Sequence, residues 1–457
     1  MTPDHHPPAG GTNAPPRPSS GAADTPLKRA ITGKLLYLFI LGDVLGAGIY
    51  ALVGVLAGEV GGAVWLPLLL ALLLALLTAA SYAELVTKYP RAGGAAVFAQ
   101  RAFKVPVVSF LVGFSMLAAG VTSVAGLALA FSGSYLSELV DVPPVPTALV
   151  FLVLVAALNA RGIKDSLRAN VVMTVVELSG LVLVVVLAAV VLGRGDGAPG
   201  RVLEIDGSGS SAAAVLGAAV IAFYSFVGFE TSANVAEEAI DPSRNYPRAL
   251  FGGLLTAGVV YVAVGLAVSV AVPTDVLVNS SGPLLEVVNV ADVGLPGWLF
   301  ALIALIAVAN GALLTAIMCS RLTYGMAAER LLPAVLARVL PGRQTPWVAI
   351  VVTTLIAMVL VLSGDLETLA ATVVLLLLFV FIAVNVAVLK LRRDRVEHAH
   401  FRAPAVVPVL GVLSCLALLT QQEAGVWLRG AAMLALGAVL YALSRWSVRR
   451  QPAPAQR

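Results

Sequence analysis

Long apolar runs recur along almost the whole chain, separated by short polar segments. A helix needs about 20 consecutive apolar residues to cross a hydrocarbon core of about 30 Å. Twelve apolar runs approach or exceed this length, at residues 35–57, 63–86, 105–137, 145–160, 169–193, 212–236, 248–272, 297–328, 346–363, 367–390, 404–422 and 426–446. The third and eighth runs are longer than a bilayer requires, so we expect them to tilt or to extend into water. The pattern predicts an all-α polytopic membrane protein with twelve transmembrane helices.

Basic residues are unevenly distributed among the connections between these runs. All but three of the 29 lysines and arginines lie in the two terminal segments or in alternate connections, and the exceptions are Arg194, Arg201 and Arg429. Connections rich in lysine and arginine stay in the cytoplasm. One extra or missing run would destroy this alternation from that point onward. We therefore expect a multi-pass protein of the cytoplasmic membrane with both termini in the cytoplasm.

Composition excludes several classes of protein. The chain is 59% hydrophobic and only 12% charged, whereas soluble domains are about 45–50% apolar and about 25% charged. A soluble enzyme, a nucleic-acid-binding protein and a disordered protein are therefore excluded. The four histidines lie in the N-terminal tail or in one basic loop, and Cys319 and Cys415 lie alone in apolar runs. We expect no catalytic residue, metal site or cofactor.

Two runs carry glycine where a continuous helix would be weakened. Gly42, Gly46 and Gly48 crowd the middle of the first run, and Gly228 lies in the middle of the sixth. Each glycine weakens a helix by about 1 kcal/mol relative to alanine, although close helix packing on small residues is an alternative explanation. The two runs cross the bilayer in opposite directions, and interrupted helices in such positions point to alternating-access transport. The freed N–H and C=O groups suit the carboxylate and the ammonium of an amino acid.

Four motifs in order resemble those of the amino acid–polyamine–organocation superfamily and cover most of residues 35–335. GDVLGAGIYALVG is similar to its first-helix motif, and SRLTYGMAAERLLP to the end of its eighth helix. FYSFVGFETSANVAEEAIDPSRNYPRAL resembles the sixth helix and the following loop. SYAELVTKYPRAGGAAVFAQRAF resembles the second helix and its loop, with matching residues at Tyr82, Glu84, Pro90, Gly93 and Gly94. Within the superfamily, the chain most resembles the cationic amino acid transporters and related bacterial proton-coupled permeases.

The resemblance implies a fold of five plus five helices in an inverted repeat, followed by two additional C-terminal helices. Residues 1–30 are rich in Pro, Gly, Ser and Thr, so we expect a disordered cytoplasmic tail without a cleaved signal peptide. Residues 31–400 would form the ten-helix core. Residues 401–447 would form the last two helices, and residues 448–457 a cytoplasmic tail. The substrate-binding residues implied by the resemblance are Gly46, Ala47, Gly48, Ile49, Tyr224, Ser225, Phe226, Val227, Gly228 and Phe229. Phe229 or a neighbour would serve as an aromatic lid.

Three acidic residues at membrane depth are candidates for the coupling site, because each costs about 2.5–3.5 kcal/mol on insertion scales. Asp43 and Glu177 lie at similar depth, so packing of the first helix on the fifth would allow a shared proton site. Separate structural roles are the alternative. Glu230 either senses a proton or a cationic substrate, or satisfies N–H groups freed by the break. Some proton-coupled relatives carry a lysine on the fifth helix, whereas this chain has Glu177 there.

Other charged residues lie nearer the cytoplasmic boundary. Glu237, Glu238 and Arg321 are candidates for a cytoplasmic gate, but a solvated surface pair is the favoured interpretation. Glu84 lies close to the end of the second span, where a structural contact between helices is the favoured role.

These features favour a secondary active amino acid transporter, in which a proton is the coupling ion and the substrate and the lipid bilayer are the partners. A carrier or exchanger of a polyamine, ethanolamine or another organic cation on the same fold is the alternative. A channel would show filter loops or charged rings, and the sequence has neither. A non-transporting nutrient sensor remains a further class. The identity of the cargo, the direction of transport and the oligomeric state are left open.

Overall fold

The computed structural model describes residues 29–449, apart from positions 133–135, 137–138, 206–210, 281, 364–365 and 423. The predicted terminal tails, residues 1–30 and 448–457, therefore lie almost entirely outside the described residues. Within the described part, the regular structure is helical, and β-pairing is limited to one isolated bridge between Ile31 and Ala239.

Most of the described chain lies in α-helices joined by short connections. These are α1 (Gly33–Leu45), α2 (Ala47–Val60), α3 (Trp65–Lys88), α4 (Gly94–Phe103), α5 (Pro106–Ser132), α6 (Pro144–Arg161), α7 (Ile163–Arg194), α8 (Ser211–Tyr224), α9 (Pro242–Ala271), α10 (Thr274–Asn279), α11 (Pro283–Ala291), α12 (Gly297–Ala328), α13 (Trp347–Ser363), α14 (Leu366–Leu391), α15 (Val406–Leu419) and α16 (Ala424–Arg449). Short 3-10 helices cover Pro199–Leu203, Thr231–Glu238 and Ala334–Ala337.

Membrane-spanning character is clear for most of the long helices. In the described part of the chain, nine helices are long and apolar enough to cross a bilayer, and three shorter apolar helices cover Ala214–Tyr224, Trp347–Leu362 and Val406–Leu419. Each predicted apolar run overlaps one of these twelve segments, and the segment of the first run, Gly33–Tyr50, includes α1 and the start of α2. Large apolar side chains such as Leu154, Val172 and Val359 lie exposed on the outer faces, as expected where helices contact lipid. The prediction of an all-α polytopic membrane protein is confirmed.

Helix ends depart from the predicted runs where charged residues continue a helix. Hydropathy predicts the fifth run at residues 169–193, but α7 already begins at Ile163 and includes Lys164 and Arg168. Hydropathy locates the apolar part of a helix. It does not detect helical turns with charged residues that extend beyond the hydrocarbon core. The third run, predicted to reach residue 137, corresponds to α5, which ends at Ser132; residues 133–135 and 137–138 lie outside the described residues.

Both predicted interruptions are confirmed. The first run is divided at Gly46 into α1 and α2, which begins at Ala47. The sixth run forms α8 only as far as Tyr224 and then continues as successive turns into the 3-10 helix Thr231–Glu238. The broken first helix packs against α7, α9 and α12, while α12 also packs against α5. Both breaks thus lie inside the bundle instead of facing lipid.

Candidate functional site

The first break separates two half-helices at Gly46. This residue has φ −24° and ψ −169°, far from helical values, and serves as the end of α1 and the start of α2. No side chain caps the N-terminus of α2. Because the first N–H groups of a helix have no intrahelical partner, the start of α2 presents free donors and a positive dipole end.

The second break is held against the first by glycines. Gly228 has φ 131°, a backbone conformation that favours glycine. A Cβ at this residue would lie 2.7 Å from the backbone carbonyl oxygen of Asp43. A Cβ at Gly48 would lie 3.0 Å from the Cα of Ser225. The two interrupted segments therefore meet backbone to backbone, at distances that side chains would prevent.

Side chains form hydrogen bonds with some of the backbone N–H and C=O groups that the two breaks leave without helical partners. The Thr231 hydroxyl donates to the Asp43 carboxylate and also lies 2.8 Å from the carbonyl oxygen of Gly228. The Gly228 N–H donates to the Glu230 carboxylate at 2.9 Å. Tyr261 donates its hydroxyl to the carbonyl of Val44 near the end of α1. Ser225 differs from these groups, since its buried hydroxyl has no hydrogen-bond partner among the described residues.

A cavity of about 570 Å³ lies at the junction of the two breaks, within the usual range for small-molecule sites. Its floor includes Gly46 and Gly48 on one break and Ser225, Val227 and Gly228 on the other. Helices α5, α12 and α14 supply the walls. The lining continues along α2 to Val55, which is 49% exposed, and to Gln422 beyond the end of α15. The cavity therefore opens on the side where α2 ends.

The structure brings together part of the predicted site. Gly46, Gly48, Tyr224, Ser225, Val227 and Gly228 all line the cavity. Ile49 and Phe226 are buried outside it, and Phe226 packs on the ring of Tyr261 with centroids 5.2 Å apart. Ala47 begins α2, and its backbone belongs to the free end of that helix. Phe229 stacks on Phe381 at 5.4 Å and does not reach the cavity in this conformation.

Several lining residues escaped the sequence-based prediction. Thr315 and Met318 on α12 and Val374 on α14 line the cavity, but nothing in the sequence separates them from other residues of apolar helices. Asn310 on α12 does not line the cavity, but a lone asparagine within the apolar run 297–328 is itself a signal of a functional position.

Asn310 belongs to a polar cluster behind the first break. Its amide donates to the Thr174 hydroxyl at 3.1 Å and lies 3.4 Å from the carbonyl oxygen of Gly42. Thr174 in turn donates to Asn170 Oδ1 at 3.0 Å. A Cβ at Gly42 would collide with all three side chains, including Asn170 Oδ1 and Asn310 Nδ2 at 2.7 Å. Gly42 thus permits two neighbouring helices to place amides and a hydroxyl directly on the α1 backbone.

Glu177 lies at the end of this cluster and is completely buried. The Asn310 side chain lies beside its carboxyl group, yet neither carboxyl oxygen has a partner with hydrogen-bond geometry among the described residues. The Tyr50 hydroxyl of α2 donates to the backbone carbonyl of Glu177 at 3.3 Å. Glu177 is therefore connected to both halves of the broken helix, through Asn310 to α1 and through Tyr50 to α2.

Asp43 and Glu177 lie on neighbouring helices, since α1 packs against α7. Their carboxyl groups share no hydrogen bond in the described structure, because Asp43 is engaged with Thr231 of the sixth span. Asp43 lines the cavity whereas Glu177 does not. Asp43 therefore faces the cavity, whereas Glu177 is buried behind it on the neighbouring helix.

A buried ion pair closes the opposite side of the bundle from the cavity mouth. Arg321 Nε lies 3.2 Å from Glu238 Oε1, and both side chains are almost fully buried. Arg321 also donates to Asn159 Oδ1 at 2.6 Å and to the Ser320 hydroxyl at 3.0 Å. The pair therefore joins the sixth span, α6 and α12. The alternative of a solvated surface pair is wrong for these two residues.

Backbone contacts extend this closure. The N–H groups of Ala30 and Ile31 both donate to the carbonyl of Glu238 at 3.0 Å, which fastens the chain preceding α1 to the end of the sixth span. Glu237 is not part of the ion pair; its carboxylate accepts a hydrogen bond from Ala92 N at 2.9 Å, in the loop before α4.

Glu84 has the structural contacts that its boundary position suggested. Its carboxylate accepts hydrogen bonds from Arg392 at 3.0 Å and from the backbone N–H of Ala403 at 2.9 Å. In the same region Tyr89 donates to Asp394, and burial together with this carboxylate raises the pKa of the Tyr89 hydroxyl. These bonds fasten the connection between α14 and α15 to the end of α3.

Comparison with known proteins agrees with this architecture. The family model described as amino acid permease matches residues 33–435. The branched-chain amino acid permease BcaP of Bacillus subtilis is 26% identical over 443 residues, covering 91% of this chain and 93% of that protein. An uncharacterized transporter of Mycobacterium tuberculosis is 31% identical over 419 residues, covering 90% of each chain. The vacuolar cationic amino acid transporter 2 of Arabidopsis thaliana is 28% identical over 392 residues, covering 80% of this chain and 60% of that protein. With its broken helices and central cavity, the chain belongs to the amino acid permease family of the amino acid–polyamine–organocation superfamily, whose members are transporters and not enzymes.

Proposed function

We propose that this protein is a proton-coupled amino acid symporter of the cytoplasmic membrane that works by alternating access. The observation that carries the proposal is the junction of two interrupted helices at a cavity open to one side. Twelve spans with both termini in the cytoplasm would place the cavity mouth outside the cell, because α2 ends at the connection opposite the basic ones.

The free backbone groups at the junction support recognition of an amino acid. The uncapped start of α2 offers N–H donors to a carboxylate. The unpaired Ser225 hydroxyl lines the same cavity and supplies a further donor. Carbonyl groups at the ends of α1 and α8 provide acceptors for an ammonium group. A zwitterion would satisfy both sets at once.

Glu177 is the proposed carrier of the coupled proton. A carboxylate without hydrogen-bond donors or a cation beside it costs several kcal/mol to bury, whereas the neutral acid does not carry that cost. Asn310 contacts both the region of Glu177 and the Gly42 carbonyl of α1. Loss or gain of the proton would therefore change the hydrogen bonding at the break itself. Asp43 and Glu230 are second choices, since each already accepts a hydrogen bond at the break.

The packing of helices supports the inverted repeat that alternating access requires. Counting spans, the first contacts the seventh (α1 with α9), and the sixth contacts the second (α8 with α3). The third contacts the tenth (α5 with α14), and the eighth contacts the fifth (α12 with α7). The third also contacts the ninth, and the eighth the fourth. Spans one to five correspond to spans six to ten in the proposed repeat. Each contact between two spans is therefore matched by a contact between the two corresponding spans of the other half.

The buried pair of Arg321 and Glu238, on the side that we assign to the cytoplasm, supports an outward-facing conformation. The cavity reaches Val55 and Gln422 on one side, while Arg321 and Glu238 are buried together on the other. Transport to the cytoplasm would require this pair, and the strand-like contact of Ile31 with Ala239, to separate.

A carrier of organic cations is the second candidate, favoured by the two acidic residues, Asp43 and Glu230, that line the cavity. Purified protein in liposomes would distinguish the candidates. We expect an inward proton gradient to drive accumulation of a labelled amino acid and an uncoupler to abolish it. Accumulation driven by sodium at equal pH would contradict proton coupling, and uptake of polyamines without uptake of any amino acid would favour the second candidate.

A further inference from the structure

The cavity has a marked division between its floor and its walls. Both acidic lining residues, Asp43 and Glu230, lie at the breaks that form the floor. Among the described residues, the wall formed by α5, α12 and α14 contains no acidic or basic side chain. Leu127, Met318 and Leu377 are typical of this wall. Any substrate group that extends away from the breaks therefore enters apolar surroundings.

Neither floor acid is available to compensate a charge on that wall. Glu230 is 1% exposed and accepts the N–H of Gly228, so its carboxylate is used to satisfy the break. Asp43 is 6% exposed and accepts the hydroxyl of Thr231. Both acids are also close to the helix ends that would receive the ammonium of the substrate. A second cation at the far end of the same molecule would find no partner there.

The neutral polar groups on the wall cannot compensate the positive charge of a lysine or arginine side chain. The Ser123 side chain lies beside Tyr224, and Thr315 contributes a single hydroxyl. Burial of an unpaired ammonium or guanidinium costs several kcal/mol even after relaxation, far more than one neutral hydrogen bond returns. Each buried methylene of an aliphatic side chain gains about 0.8 kcal/mol.

Room for a branched side chain is provided by small residues. Gly311 lines the cavity, and a Cβ there would meet only Leu127 at 3.7 Å and Gly46 at 3.9 Å. Ala119, Gly126 and Ala130 line the α5 wall. The space beside the breaks is therefore wide as well as apolar.

We infer that the side-chain subsite selects neutral amino acids with aliphatic side chains and rejects cationic amino acids. This inference rests on the proposed function, since it takes the two breaks as the site for the substrate backbone. It differs from what the name of cationic amino acid transporter 2 states for that relative, and it agrees with the name of the branched-chain amino acid permease BcaP.

Binding to the wild-type protein gives the first test. Purified protein in detergent is titrated with leucine, isoleucine, valine, lysine, arginine and glutamate at constant ionic strength, and thermal stabilisation or displacement of labelled leucine is measured. We expect leucine, isoleucine or valine to bind at least about tenfold more tightly than lysine or arginine, a difference of about 1.4 kcal/mol. Equal or tighter binding of lysine or arginine overturns the inference while leaving amino acid transport intact. Absence of binding by every amino acid would instead contradict the proposed function.

A pair of matched variants gives the second test. Met318 is 2% exposed, unbranched and part of the apolar wall. Met318→Glu and Met318→Gln have side chains of similar length and differ from each other in charge. We expect Met318→Glu to raise the affinity for lysine relative to leucine by at least about tenfold over Met318→Gln. Equal lysine-to-leucine ratios in the two variants, both folded, would show that charge on this wall does not set selectivity and would overturn the inference.

Discussion

Gly228 lies so close to the backbone of Asp43 that a Cβ on the glycine would approach the Asp43 carbonyl oxygen to 2.7 Å. Residues 185 positions apart in sequence are thus in backbone contact at the point where both helices are interrupted. The contact is the direct physical link between the first and sixth spans, and it depends on the absence of a side chain.

Gly228→Ala tests this link. A non-glycine residue at φ 131° is strained by about 1–3 kcal/mol, and the new methyl group would push the two breaks apart. We expect loss of substrate binding together with a lower melting temperature. Gly217→Ala, in α8 of the same span, is the control, because no atom lies within 4 Å of its Cβ position. Unchanged binding in a folded Gly228→Ala variant would show that the contact does not shape the site.

Gly48→Leu tests the cavity floor. A Cβ at this position already lies 3.0 Å from Ser225 Cα, and the longer side chain would occupy the space in front of the α2 N-terminus. We expect at least a hundredfold loss of affinity, or about 2.7 kcal/mol, in a protein that still inserts and folds. Gly58→Leu on the exposed face of the same helix should bind normally, since only Val278 lies nearby, at 3.6 Å. Wild-type affinity of Gly48→Leu would remove this segment from the substrate site.

Sequence patterns predicted the helices well because a helix that crosses a bilayer must be apolar along its length, and hydropathy detects this property directly. The breaks at Gly46 and Gly228 were also accessible, since glycine, aromatic and acidic residues cluster there. The walls were not accessible: Met318 and Val374 are ordinary residues of apolar helices, and only the packing of α12 and α14 turns them toward the cavity.

The contacts of the charged residues were also not predictable from the sequence. Depth along the helix axis predicts that Asp43 and Glu177 lie on packed helices, as α1 and α7 do, but it does not predict that Asp43 accepts a hydrogen bond from Thr231 or that Gly42 contacts the Asn310 cluster. Position along the helices predicts that Glu238 and Arg321 lie at a solvated boundary, whereas both side chains are buried in the folded bundle. Rotation and loop packing are tertiary properties that spacing along one helix cannot supply.

The proposed topology can be tested with reporters. The positive-inside rule predicts a cytoplasmic location for a reporter fused after Arg449 and an external location for a tag inserted after Asp196. Accessibility of the tag to an impermeant reagent on intact cells, compared with lysed cells, measures this. Detection of both sites on the same side of the membrane would contradict twelve spans.

The buried ion pair of Arg321 and Glu238 allows a stability test of the closed side of the bundle. Removal of one partner from a buried pair leaves an uncompensated charge and costs about 3–5 kcal/mol. We therefore expect Glu238→Gln and Arg321→Met each to lower the melting temperature strongly, and the double variant to recover part of the loss. Asp165→Asn, which removes the exposed partner of Arg168 at 3.6 Å, should change stability little. Additive effects of the two buried substitutions would indicate that the residues act independently.

Glu177→Gln is the most direct test of proton coupling. The substitution keeps the shape of the side chain, removes its ability to release a proton, and leaves the cavity floor untouched, since Glu177 does not line the cavity. We expect substrate binding and exchange to persist while accumulation driven by a pH gradient is lost. Glu59→Gln, on the exposed face of α2, should retain driven uptake and serves as the control for a lost carboxylate.

The outcome at Asp43 then separates a single proton carrier from a coupled pair. If the two acids titrate as one unit, Asp43→Asn should also abolish driven uptake, and the double variant should be no worse than either single variant. Because Asp43 holds Thr231 at the sixth-span break, loss of binding in Asp43→Asn alone would identify it as part of the floor. Normal driven uptake in a folded Glu177→Gln variant would exclude Glu177 as the carrier and shift the role to Glu230 or to a cation held by the carbonyls of the breaks.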